Sequence, residues 1–137
     1  MTKVLVIDDD TDVQGFIRDC LQVSGYAVDL AENGDVGIRC VKREEYEVVT
    51  CDIHMPEKEG IETIQELQQR DPSPAIIACS GGVYRGLDFL PLAKRMGAID
   101  VLYKPFTPAQ LRAAIDNVLV EQGSKPNLDS GATSKAS

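Results

Sequence analysis

Residues 4–10, which read Val-Leu-Val-Ile-Asp-Asp-Asp, decide the fold. Four successive apolar residues are typical of a strand that is buried on both faces of a parallel sheet. The aspartates that follow are depleted in strands and mark the carboxyl end of this one. The stretch therefore predicts a buried strand that places acidic side chains at one edge of a sheet.

Four further apolar runs repeat this pattern, with helix-period segments between them. The runs are residues 27–31, 48–51, 75–79 and 101–103. Short apolar runs that alternate with amphipathic helices are typical of a parallel sheet covered by helices on both faces. The sequence thus predicts an α/β fold with five parallel strands and five helices, in a doubly wound (βα)5 arrangement.

The first and last helices carry the clearest signals. In the first, the apolar residues at helical spacing are Val13, Phe16, Ile17, Cys20 and Leu21. In the last, they are Leu111, Ala114, Ile115, Val118 and Leu119. Thr11 with Gln14 fits a capping box that opens the first helix, and Gly25 fits its C-terminal stop.

The length of 137 residues and the formal net charge of −8 fit one globular domain. We place this domain at residues 1–122 and expect a flexible tail at 123–137, because the tail has too few apolar residues to offset the entropy of ordering. The acidity argues against nucleic acid as a partner, since that affinity comes from Lys and Arg.

Cysteine spacing and hydropathy bear on the compartment. The four cysteines and the single histidine do not form the pattern of a zinc site, so we expect reduced, partly buried thiols. No apolar run approaches the ~18 residues that cross a bilayer, and the N-terminal run is too short for a signal peptide. These observations predict a cytoplasmic protein that has no contact with a membrane.

Three acidic residues stand apart from those expected on helix surfaces. Asp8, Asp9 and Asp52 each follow a predicted strand, and the carboxyl ends of parallel strands form the crevice where ligands bind. Carboxylates that converge there repel one another unless a cation neutralises them. An all-oxygen ligand set favours a hard divalent ion such as Mg²⁺.

Ser80 and Lys104 are predicted to lie at the same edge, because each directly follows an apolar run. Carboxylates, a hydroxyl and an ammonium around a metal suit phosphoryl transfer, which depends on positioning and on neutralising charge at the phosphoryl oxygens. Asp52 is then the natural nucleophile.

Four ordered motifs carry a resemblance to a known family. They are residues 4–10, the run Asp52-Ile53-His54-Met55-Pro56 with Gly60 following, Ala78-Cys79-Ser80-Gly81, and Tyr103-Lys104-Pro105-Phe106. Over residues 2–121 the chain resembles the receiver domains of two-component response regulators, in particular single-domain, chemotaxis-type regulators. The resemblance implies the flavodoxin-like receiver fold.

The resemblance also implies roles for individual residues. Asp52 would accept a phosphoryl group from a phosphohistidine of a histidine kinase or phosphotransfer protein. Asp8, Asp9 and Asp52 would hold Mg²⁺ together with the backbone carbonyl of His54. Ser80 and Lys104 would bind phosphoryl oxygens, and the Lys104–Pro105 peptide would be cis.

Further expectations concern the protein's output. A receiver catalyses its own phosphorylation and dephosphorylation but is not a turnover enzyme, and it signals through a conformational change to a separate protein. Since no DNA-binding segment follows residue 121, we expect a single-domain regulator whose target is a protein, and the resemblance allows a weak dimer.

The chain departs from the family pattern at two places, and a third position has a candidate tuning role. Val101 occupies a position where many receivers have an aromatic residue that takes part in switching, and Tyr103 or Tyr84 are candidates to replace it. The segment 81–88 is rich in glycine and slightly long, which predicts either a remodelled neighbouring helix or a mobile loop. The His54 side chain is a candidate for tuning the lifetime of the acyl phosphate, against the simpler interpretation of a solvated loop histidine.

Two other functions remain open at this point. Asp8-Asp9-Asp10-Thr11 also matches the Asp-x-Asp-x-Thr motif of haloacid-dehalogenase-like phosphatases, in which Asp8 would be the nucleophile. That family needs an acidic pair after the lysine, and this chain has no adjacent pair beyond Lys104. The second alternative is a docking module that works without phosphorylation.

Overall fold

The computed structural model describes residues 1–53, 59–81, 83–84, 87–88 and 90–121. The elements in chain order are β1 (Lys3–Ile7), α1 (Thr11–Val23), β2 (Ala27–Ala31), α2 (Gly34–Arg43), β3 (Val48–Asp52), α3 (Glu59–Gln68), β4 (Ala75–Ser80), β5 (Val83–Tyr84), β6 (Leu87–Asp88), α4 (Leu90–Met96), β7 (Asp100–Tyr103) and α5 (Pro108–Glu121).

Five of the strands form one parallel sheet in the order β2-β1-β3-β4-β7. Val4 of β1 pairs with Val28 on one side and Val48 on the other, which makes β1 an interior strand. The apolar runs predicted each of these five strands to within one residue at either end. The chain leaves β1 toward one edge and returns at β3 toward the other, so the strand order reverses between β1 and β3. Ligands bind at such a switch point in open α/β sheets.

Helices cover both faces of the sheet, as predicted. Leu5 and Ile7 pack on one face with the buried side chains of α2, α3 and α4, while Val4 and Val6 pack on the other with those of α1 and α5. The five apolar positions predicted for α5 are all buried. The predicted doubly wound α/β fold, with five parallel strands in one sheet and helices on both faces, is therefore confirmed.

The start of α1 differs from the prediction. Its N-cap is Asp10, whose carboxylate accepts hydrogen bonds from the backbone N–H groups of Asp12 and Val13. The capping box of Thr11 and Gln14 was wrong, because Thr11 is already the first helical residue and the Gln14 side chain is buried against strand ends. An aspartate at the N-cap satisfies two of the open helix donors and needs no partner at the third position.

The end of α1 is as predicted. Gly25 has a φ of +92°, and its N–H donates to the Gln22 carbonyl, while the N–H of Tyr26 donates to Leu21. This pair of bonds is a Schellman motif, which favours glycine at the position after the C-cap. Phe16, predicted on the packed face of α1, is 40% exposed, and its ring lies 6.1 Å from that of Phe106.

The segment after β4 contains a small hairpin that the sequence did not predict. Strands β5 and β6 pair antiparallel, with Val83 opposite Asp88 and Tyr84 opposite Leu87. Helix α4, which follows, has seven residues. A two-stranded ribbon therefore occupies described positions 83–84 and 87–88, and the expectations of a remodelled helix or a mobile loop stay predictions.

The cysteines agree with expectation. All four cysteines are free, with Cys51 and Cys79 buried and the other two half-buried. In the part of the chain that the structure describes, no helix has the length and apolar character needed to span a membrane. The predicted tail at 123–137 lies outside the described residues, and the domain boundary at 122 stays a prediction.

Candidate functional site

Asp8, Asp9 and Asp52 converge at the switch point between β1 and β3. One carboxylate oxygen from each lies within 4.8 Å of the others. Asp8 and Asp52 are only 2% and 5% exposed, whereas Asp9 is exposed. The sequence predicted that these residues lie at the ends of strands, and β1 and β3 are neighbours in the sheet, so their ends lie side by side.

The Asp8 carboxylate is held on both oxygens. Its Oδ1 accepts a hydrogen bond of 2.9 Å from the Asp10 N–H, and its Oδ2 accepts one of 2.9 Å from Lys104 Nζ. Burial raises the pKa of Asp8, and the nearby negative charge of Asp52 adds to this, while the bonds from Asp10 and Lys104 act in the opposite direction. The convergence of acids therefore carries an electrostatic cost that a cation would remove.

Lys104 bridges the two buried acids. Its Nζ lies 2.9 Å from Asp8 Oδ2 and 3.4 Å from Asp52 Oδ2. Burial by itself lowers the pKa of this lysine, but the hydrogen bond to Asp8 and the charges of Asp52 and Asp8 outweigh it and raise the pKa. Lys104 is therefore a fixed positive charge beside Asp52. The expected cis peptide is present between Lys104 and Pro105.

Ser80 ends β4, the strand next to β3, and is completely buried. Its carbonyl accepts a hydrogen bond of 2.7 Å from the Lys104 N–H, which ties β4 to the start of the lysine loop. Asp52 is in register with Cys79, the residue before Ser80. The structure thus brings all five described candidates, Asp8, Asp9, Asp52, Ser80 and Lys104, to one edge of the sheet.

This arrangement can be compared with known proteins. Residues 4–116 match the response regulator receiver domain family. The chain belongs to this family. A chemotaxis protein CheY of Thermotoga maritima is 33% identical over 117 residues, which cover 85% of this chain and 96% of that protein. A probable C4-dicarboxylate response regulator of Bacillus subtilis is 34% identical over 116 residues, 83% of this chain, but this chain spans only 50% of its length.

Solved receiver structures agree with the fold. A CheY-like receiver domain from Methanospirillum hungatei has a TM-score of 0.82 at 27% identity, covering 90% of this chain and 97% of that one. The response regulator TrrA from Thermotoga maritima, solved in complex with Mg²⁺-BeF, has a TM-score of 0.76 at 27% identity, covering 87% of this chain and 100% of that one. Receiver domains are signalling modules and are generally not turnover enzymes.

The donor set of this receiver fits Mg²⁺. Oxygens bound to one Mg²⁺ lie at most about 4.2 Å apart, twice the usual Mg–O distance, so the three carboxylates are close to a binding arrangement. The exposed Asp9 leaves one side open to water, which Mg²⁺ retains in most protein sites. His54, whose carbonyl was predicted as a further ligand and whose side chain was predicted to tune the acyl phosphate, lies outside the described residues.

The departure at Val101 is visible in the packing of β7. Val101 is half-buried against the core that contains α3 and α4, while Tyr103 is 50% exposed. The side chain of Tyr84 lies outside the described part of the chain. Of the two tyrosines that were candidates to replace the missing aromatic residue, Tyr103 is therefore the one whose side chain the structure describes.

Gly60 is part of the motif that begins at Asp52, but the sequence alone predicted no structural role for it. It lies in the first turn of α3, directly over the end of β3, and a Cβ at this position would overlap the carbonyl oxygen of Asp52 and the Cα of Ile53. Only glycine allows the helix to approach the strand so closely. A glycine soon after an acidic strand end is the sequence signal that points to such a contact.

Gly60→Ala is expected to lower the free energy of unfolding by about 1–3 kcal/mol, because backbone atoms of Asp52 and Ile53 must move to admit the methyl group. Chemical denaturation measures this loss. Gly15→Ala is the matched control, since a Cβ there meets only the end of the Arg18 side chain at 3.6 Å. Alanine at such an uncrowded helical site is expected to raise the free energy of unfolding by about 1 kcal/mol. Equal effects at both glycines would contradict the close approach at Gly60.

Proposed function

We propose that this receiver accepts a phosphoryl group on Asp52 from the phosphohistidine of a histidine kinase or a histidine phosphotransfer protein. The observation that carries the proposal is the position of Asp52, which lies nearly buried at the end of β3 between an acid pair and the Lys104 ammonium, 3.4 Å away. A carboxylate so placed is a nucleophile with charge-neutralising groups around it.

The transfer exchanges one bond for another. A carboxylate oxygen of Asp52 attacks phosphorus, the P–O bond forms as the P–N bond breaks, and the electron pair of the broken bond returns to the imidazole nitrogen. The product is an acyl phosphate that water later hydrolyses. Bound Mg²⁺ would neutralise charge on the phosphoryl oxygens. Asp8 and Asp9, with Asp52 itself, are the residues that would hold it.

Lys104 and Ser80 connect the phosphoryl group to the rest of the fold. Lys104 Nζ is within reach of any oxygen added to Asp52, so it would exchange part of its contact with Asp8 for the new group. Inverting a 1:99 population needs about 5.5 kcal/mol of differential stabilisation. One charge-assisted hydrogen bond supplies only about 1.5–3 kcal/mol. The proposed switch therefore uses both Ser80 and Lys104.

The partners follow from the same proposal. The folded surface is acidic, with a formal net charge of −8 over the chain, which favours a protein target over DNA. Four free thiols suit a reducing compartment, so we place the reaction in the cytoplasm. Family membership gives no support to the phosphatase alternative with Asp8 as nucleophile.

The direct test uses a small phosphodonor and intact-mass measurement. Incubation with acetyl phosphate and Mg²⁺ is expected to add one phosphoryl group, and chelation of Mg²⁺ beforehand is expected to prevent it. The added mass should disappear slowly after the donor is removed, as an acyl phosphate hydrolyses. A mass that stays unchanged with and without Mg²⁺ would contradict the proposal and favour a docking module.

A further inference from the structure

Gln14 is a buried polar residue that the proposed reaction does not use. It lies on the stripe of α1 that faces the core, in line with Ile17 and Leu21, and is 7% exposed. A glutamine on such a stripe costs free energy unless its amide is hydrogen-bonded. The Gln14 side chain is thus expected to have partners inside the fold.

The partners are backbone carbonyls at the ends of two strands. Gln14 Nε2 donates to the Asp8 carbonyl at 2.7 Å and to the Ala31 carbonyl at 3.1 Å. The Ala31 carbonyl also accepts the N–H of Asp8 at 3.0 Å. One carboxamide therefore joins the end of β1 to the end of β2, at the residue where β1 turns into the acidic segment.

Asp8 is consequently held at both its backbone and its side chain. Gln14 fixes the carbonyl, Ala31 fixes the N–H, and Lys104 with the Asp10 N–H fixes the carboxylate. Among the contacts described, Gln14 is the only helix side chain that holds Asp8, and it does so through the backbone, without touching a carboxylate of the cluster or Lys104. The direction in which the chain leaves β1 sets where Asp8 and Asp9 point.

We propose that Gln14 is a positioning residue for the acidic cluster, which it preorganises for Mg²⁺ by fixing the turn between β1 and α1. This inference rests on the proposed function in one respect only, namely that the ion bound by the acidic cluster is Mg²⁺. Preorganisation of this kind is worth much in a metal site, because loss of an outer partner commonly weakens metal binding 10- to 100-fold.

The test compares Gln14→Met with Ile17→Val. Methionine keeps the length and approximate volume of glutamine but has no N–H, so it removes both hydrogen bonds. Ile17→Val truncates a buried neighbour on the same helix and weakens its packing without touching a strand end. The two readouts are amide hydrogen exchange in metal-free protein and the dissociation constant of Mg²⁺ alone.

In Gln14→Met, exchange at the amides of Asp8 and Asp10 is expected to accelerate at least about 10-fold relative to the core amide of Ile115. The Mg²⁺ dissociation constant is expected to rise about 10-fold. Ile17→Val should leave both the exchange ratio and the Mg²⁺ affinity within about two-fold of the unmodified protein, which separates positioning from a general loss of stability.

The outcomes separate this inference from the proposed function. If Gln14→Met changes exchange and Mg²⁺ affinity no more than Ile17→Val does, the positioning role is overturned, whether or not Asp52 is phosphorylated. If Gln14→Met weakens Mg²⁺ binding as expected but the unmodified protein accepts no phosphoryl group, the positioning role holds and the proposed function fails. An unmodified protein that binds no Mg²⁺ overturns the positioning role as well.

Discussion

The Asp52→Asn protein is expected to fold normally and to accept no phosphoryl group from acetyl phosphate, even at saturating Mg²⁺. Asparagine has nearly the same shape as aspartate, so the end of β3 and its contact with Gly60 are preserved. Its amide oxygen is a poor nucleophile, and it forms no acyl phosphate. The phosphorylated fraction, measured by intact mass, should therefore fall to that of protein incubated without acetyl phosphate.

A matched control removes an aspartate from the opposite end of the sheet. Asp100 begins β7, and its carboxylate accepts a hydrogen bond from the Val101 N–H. Asp100→Asn changes the net charge by the same amount as Asp52→Asn, and it is expected to leave labelling intact. Full labelling of Asp52→Asn, or equal loss in both variants, would contradict a nucleophilic role for Asp52.

Asp8→Asn is expected to raise the melting temperature of the metal-free protein while abolishing the stabilisation by Mg²⁺. Burial and the charge of Asp52 raise the pKa of Asp8 above its ordinary value of 3.8. An acid whose pKa is raised on folding favours the folded state when protonated, and this advantage is lost as pH rises through the folded pKa. At neutral pH the ionised Asp8 therefore lowers stability, and asparagine removes that cost.

Thermal melts across a pH series, with and without Mg²⁺, measure both parts of this prediction. The advantage of Asp8→Asn should be present at neutral pH, should shrink as pH falls through the raised folded pKa of Asp8, and should be gone below the ordinary value of 3.8, where Asp8 is protonated in both states. Mg²⁺ should raise the melting temperature of the unmodified protein through binding linkage. Its affinity for the variant should fall by at least about 100-fold, the upper range for loss of an outer partner. A lower melting temperature for the metal-free variant at neutral pH would show that the bond to Lys104 outweighs the cost of burial.

The sequence predicts the strands, and it predicts that the five candidate residues lie at one edge of the sheet, for a physical reason. A strand buried on both faces must be apolar, so β1, β3 and β4 can be recognised as apolar runs. The residue that follows each run is then predicted to lie at the carboxyl end of that strand. Asp8, Asp52 and Ser80 lie at such ends. Parallel strands then bring these residues together at one edge of the sheet.

The features that were missed depend on contacts between distant segments. Gln14 looked like part of a helix cap because the capping pattern is local, whereas its partner Ala31 lies 17 residues away. The contact of Gly60 with the end of β3 exists only once α3 is folded. The ribbon of β5 and β6 has two residues in each strand, too few for alternation of polar and apolar residues to be recognised.

The central claim is that the phosphoryl group is carried by Asp52 itself. Borohydride reduction of the phosphorylated protein converts an aspartyl phosphate into homoserine, and peptide mass spectrometry then locates that residue. The account predicts homoserine at position 52 in the sample treated with acetyl phosphate and Mg²⁺, and unmodified aspartate at positions 8 and 9. Homoserine at position 8, with position 52 unchanged, would contradict the account and would instead support Asp8 as the nucleophile.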